Sequence, residues 1–143
     1  MAREETTTAG GPLRTAARWV LGLFLGWAGT AHLTVARDEF QAQVPDWVPL
    51  DDDLVVLGSG VVEIALGLAL LTQRRRRPAV GWATAAFFVA IFPGNVAQYV
   101  EGTDAFGLDS DRARLVRLFF QPVLVAWSLW STGAWRARRR RDR

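Results

Sequence analysis

The chain has 143 residues, 50% of them hydrophobic, a formal net charge of +3 and no cysteine. The missing thiols exclude disulfides, thiolate catalysis and cysteine-ligated clusters, and the single histidine, His32, excludes a His-rich metal or haem site. The mean hydropathy of +0.11 averages apolar blocks with very polar ends, so it does not mark a soluble protein.

Residues 1–12 (MAREETTTAGGP) are polar and Gly-rich and read as a disordered tail. The first apolar block covers about residues 13–35, longer than the hydrophobic region of a usual signal peptide, so it reads as a retained span. Within it Gly22, Gly26 and Gly29, at spacings of four and three, form a close-packing face with His32 on its flank.

The connection ARDEFQAQVPDWVPLDDD mixes acids with Phe40, Val44, Trp47, Val48 and Leu50, and Pro45 and Pro49 cut it into short pieces. It reads as a partly ordered cap at the membrane surface, where Trp is favoured. The second block, about residues 54–71, carries GSGVVEIALGLALL. Ser59, Glu63 and Gly67 are four apart and share a face, with Gly60 beside them. The small residues turn Glu63 toward a neighbouring helix. An unpaired ionised acid near the bilayer centre costs about 2.5–3.5 kcal/mol, so Glu63 needs a partner or a proton.

The turn RRRR (Arg74 to Arg77) is short and predicts a tight antiparallel pair of the second and third blocks. The third block, about residues 79–100, contains PGN at Pro93 to Asn95. The proline frees a carbonyl one turn earlier, and Asn95 and Gln98 share a face. The fourth block, about residues 115–135, is preceded by Arg114 and holds Arg117, Gln121 and Pro122. Arg114 is expected to snorkel outward at the interface. Residues 136–143 form a basic tail.

Arginine placement sets the orientation. Arg3, Arg14, Arg18, the RRRR turn and the six C-terminal arginines lie on one side, and only Arg37, Arg112, Arg114 and Arg117 on the other. The predicted architecture is therefore all-α, a four-transmembrane-helix bundle with both termini cytoplasmic, multi-pass in a bacterial plasma membrane. In that topology the polar residues His32, Ser59, Glu63, Asn95, Gln98, Arg117 and Gln121 are candidates for one pocket opening outward. Interhelical glue is the competing reading for such residues.

The ordered set AGTAHL, VPDWVP, SGVVEIALGLALL, FPGN and RLFFQP resembles the DoxX family over about residues 14–135, with Leu33 standing where that family often has Phe. The resemblance implies a four-helix membrane bundle associated with quinone-linked oxidation or oxidative stress. It brings no agreed catalytic residues. The expected function is an accessory or anchoring subunit of a membrane redox system, with a redox-enzyme partner, the lipid bilayer around it and a homo-oligomer as a further option. No intrinsic cofactor is expected, and a quinone is the ligand the pocket suggests. Small-solute or proton-coupled transport through Glu63 and a plain membrane scaffold are the alternatives. No nucleophile–base spacing, metal-ligand set or nucleic-acid motif is visible, so an enzyme acting alone has least support and no nucleic-acid partner is expected.

Overall fold

The computed structural model describes residues 11–141, which form six helices and no strand: α1 (Pro12–Leu33), α2 (Arg37–Gln41), α3 (Asp52–Thr72), α4 (Arg77–Glu101), α5 (Asp111–Thr132) and α6 (Ala134–Arg141). The protein is all-α. The expected N-terminal tail lies outside the described residues up to residue 10.

Local chemistry sets the helix ends. Pro12 opens α1, where its missing N–H costs nothing. The Asp51 carboxylate accepts from the amides of Asp53 (3.0 Å) and Leu54 (3.3 Å) and caps α3. The Ser110 hydroxyl caps α5 by accepting from Ala113 N (3.3 Å). Gly102 ends α4 at φ 67° and Gly133 breaks α5 from α6 at φ 74°, a left-handed backbone that glycine adopts without cost. The basic C-terminal tail is thus helical through Arg141.

α1 and α3 run antiparallel in close contact. The seam of α3 is Val56, Gly60, Glu63, Gly67 and Leu70, at spacings of four and three. Its glycines face those of α1. A Cβ on Gly60 would sit 2.8 Å from His32 Cβ, and one on Gly67 would sit 2.6 Å from Gly22 O. Only hydrogen fits there, which lets the two backbones touch. Ser59 is off this seam, half-buried, with its hydroxyl donated to Val56 O (2.9 Å).

α4 packs on α5 in the same way, with Gly81 against Thr132. The predicted pairing of the second and third blocks is corrected here: α3 meets α4 along only a short stretch, despite their short Arg-rich turn. The contact faces of α3 are spent on α1, so a tight turn does not impose a tight pair. Two helix pairs result, joined at one end by Leu21, Leu25, Leu70, Phe88 and Leu124 and parted at the other. Trp127 Nε1 donates to Ala17 O (3.0 Å), and Arg18 donates to Leu70 O, tying the closed end.

By length and composition α3 and α4 are apolar enough to cross a membrane; among the described residues no other helix meets that measure. The outward faces of all four long helices nevertheless carry large apolar side chains, including Trp27 (70% exposed), Val61, Leu68, Val89, Phe119 and Val123.

Candidate functional site

The parted end of the bundle encloses a cavity of about 600 Å³. α1, α3, α4 and α5 supply its walls, and α2, the segment after it and the α4–α5 loop supply its rim. Most of the lining is apolar: Phe24, Leu25, Val56, Phe88, Ile91 and Phe120 among others. The volume falls in the range of small-molecule sites, which pair apolar walls with a few placed polar groups.

Six of the seven residues singled out from the sequence line this one cavity: His32, Ser59, Glu63, Asn95, Arg117 and Gln121. Gln98 does not. It is buried behind the wall, where its Oε1 accepts from Arg117 Nη1 (3.1 Å) and its Nε2 donates to Thr103 O (3.3 Å).

One buried polar group is a pair across the α1–α3 seam. His32 Nδ1 lies 3.0 Å from Glu63 Oε2 and 2.9 Å from Ala28 O. The N–H is directed at the Ala28 carbonyl. Glu63 Oε2 is enclosed, with the imidazole edge beside it and no hydrogen bond of its own. The histidine ring stacks on Phe40, with 16° between the planes, and Phe40 meets Phe106 edge-on at 4.6 Å.

A second polar group joins α4 to α5. Asn95 Nδ2 donates to Gln121 Oε1 (3.1 Å), and Gln121 Nε2 donates to Phe88 O (2.7 Å). That carbonyl adjoins the one that Pro93 leaves without its usual amide. Asn95 and Gln121 spend these groups on holding the two helices together.

Arg117 stands at the mouth. Its Nη1 donates to Gln98 Oε1, its Nη2 donates to Gln43 Oε1 (2.9 Å), and its guanidinium lies 5.4 Å from the Phe106 ring centroid. Among the described residues no carboxylate pairs with it. Glu63 and Arg117 therefore do not neutralise each other: the acid meets His32, and the cation meets amides and a ring.

The cap is held by its own contacts. Glu39 Oε2 accepts from Phe106 N (2.7 Å), which secures Phe106 at φ 55°, a left-handed conformation unusual for a bulky residue. Arg37 pairs with Asp53, and Gln41 Nε2 donates to Asp53 Oδ1 (2.8 Å), fixing α2 to the first turn of α3. The hydrogen bond to Asp53 raises Arg37 above its ordinary value. Arg114 corrects an expectation: it is buried, not snorkelling. Its guanidinium reaches Asp104, Asp111 (2.8 Å) and Thr103 O (3.3 Å), because the α4–α5 loop folds its acids and a carbonyl back over the helix start.

Two cap elements went unseen in the sequence: Gln43 as a partner of Arg117, and Phe106 as the aromatic ring beside it. Neither has a spacing signal, since they come from separate loops. The apolar residues of the first loop were the only hint that it covers something.

A family of domains of unknown function, DUF8561, matches residues 21–132. The chain belongs to the DUF8561 family. The match runs from the middle of α1 to the end of α5 and so contains every cavity-lining residue named above. No curated protein and no solved structure matches the chain. The DUF8561 region thus covers the cavity-lining half of α1 and all of α2, α3, α4 and α5.

Proposed function

We propose that this protein is a four-span membrane protein of the bacterial plasma membrane, with both termini cytoplasmic. We read it as a DoxX-like accessory or anchoring subunit of a membrane redox system, with the cavity holding a quinone-like ligand. The observation that carries the reading is the cavity itself. It combines apolar walls with a polar floor at His32 and Glu63 and an uncompensated cation at Arg117. A flat polar head on an apolar tail matches that division.

The membrane part of the reading is supported by the apolar exterior, by α3 and α4, and by the arginine asymmetry. α1 and α5 would cross by turning their polar residues inward: Arg18, His32 and Gln121 are all buried. With no cysteine and one histidine, the chain lacks ligands for a haem pair or an iron–sulfur cluster of its own, so electron carriers would belong to a partner.

The test is gentle solubilisation, affinity capture and mass spectrometry of both lipid extract and protein. The expected result is a lipid-soluble ligand near one per chain together with a redox enzyme. Reproducible recovery of the protein alone, free of ligand, would overturn the proposal.

A further inference from the structure

The His32 ring is oriented on three sides. Ala28 O, 2.9 Å from Nδ1, is a carbonyl and can only accept. A hydrogen on Nδ1 is the one that this carbonyl can accept. Glu63 Oε2, 3.0 Å from the same nitrogen, favours that hydrogen further, and Phe40 covers a ring face. A carboxylate behind one imidazole nitrogen sets the tautomer and points the other nitrogen outward.

That other nitrogen, Nε2, has no protein partner among the described residues and is not fully enclosed. His32 lines the cavity, and its remaining edge is the one carrying Nε2. In the neutral imidazole with its hydrogen on Nδ1, Nε2 is the acceptor. Glu63 on α3 stands beside this ring, and Arg117 on α5 lines the same cavity. Nε2 thus offers a lone pair to whatever occupies the cavity.

Several other polar groups on the walls already hold partners, whereas Glu63 Oε2 and Gln43 Nε2, both enclosed, have no hydrogen bond. Ser59 Oγ donates to Val56 O, Asn95 donates to Gln121, and Gln121 donates to Phe88 O. Arg117 keeps spare N–H groups, because a guanidinium carries five and only two are used. The cavity therefore presents an acceptor at its floor and donors at its mouth.

We infer that His32 Nε2 accepts a hydrogen bond from a ligand hydroxyl, so that the site selects a hydroquinone-type head over the corresponding quinone. The inference rests on the ligand-pocket reading above. A hydroquinone oxygen both donates and accepts, so one end serves His32 and the other serves Arg117. A quinone has acceptors only. It satisfies Arg117 but sets a carbonyl lone pair against that of Nε2. Sites built around a hydroxyl strongly reject the analogue that lacks it.

The test uses the full-length protein in lipid nanodiscs, with a short-tailed ubiquinol, its ubiquinone and its dimethyl ether as probes. Binding is measured anaerobically by equilibrium dialysis. The ubiquinol is expected to bind about tenfold more tightly than the other two, the scale of one good hydrogen bond. His32→Phe should lower ubiquinol affinity about tenfold and leave ubiquinone affinity unchanged, which also shows that the variant is folded. Equal affinities, or preference for the quinone, overturn this inference and leave the pocket reading standing. Failure of all three probes to bind overturns both.

Discussion

His32 Nδ1 and Glu63 Oε2 lie 3.0 Å apart across the α1–α3 seam, one turn from the point where Gly29 and Gly60 bring the two backbones together. The glycines and the pair are one device. Close backbone approach delivers the histidine to the acid, and the acid holds the histidine ring toward the cavity. Replacing Glu63 with Gln is expected to leave the fold intact and cost about 1 kcal/mol, the scale of one interhelical polar contact. Thermal unfolding in detergent checks this; a loss several times larger would make Glu63 a folding lock.

The seam itself is less forgiving. Gly60→Val places branched carbons where His32 Cβ and Gly29 O already stand 2.8 and 3.0 Å from a single added Cβ. Overpacking of this kind costs about 1–3 kcal/mol. The expected outcome is a lowered unfolding temperature. Gly58→Ala on the same helix has open space around it and should be silent or mildly stabilising.

The Arg37–Asp53 pair ties the cap to α3 at an exposed site, so its effect should be local. Arg37 is raised by its hydrogen bond to Asp53. A raised base contributes stability below its unfolded value and loses it only as pH climbs through the folded one. Both lie far above neutrality, so the cap should hold constant from about pH 6 to 9. Arg37→Ala should increase proteolysis and hydrogen exchange around residues 37–50 at every pH in that window, with little change in global unfolding.

Gln98 does not touch the cavity, yet it holds the cation that does. Gln98→Ala removes an acceptor from Arg117 Nη1 and should weaken ligand binding roughly fivefold to tenfold, consistent with one hydrogen bond to a charged group. Dialysis with the hydroquinone probe provides the measure. Arg114→Ala, which loosens only the α4–α5 loop, should act on cap stability instead.

The sequence alone determined that this protein is helical, where its long apolar blocks lie and that polar residues punctuate them. Those features are one-dimensional: block length, residue spacing and the cost of a charge among apolar neighbours fix them without knowledge of the partner helix. It also pointed Glu63 inward, because Ser59 and Gly67 share its face and Gly60 adjoins them, although Gly60 and not Ser59 belongs to the seam. Which helix it faces was decided by tertiary packing. The short RRRR turn predicted a tight pair of α3 with α4, but the glycines of α1 accept those of α3, and contact that close outweighs chain proximity. The cavity is a consequence of that choice, since α3, committed to α1, leaves a gap toward α4. The assignment of partners was decided in three dimensions as well: Glu63 to His32, Arg117 to Gln98 and Gln43, Arg114 to Asp104 and Asp111. A side chain's need for a partner is written in its chemistry, whereas the identity of that partner depends on which helix faces come to rest together.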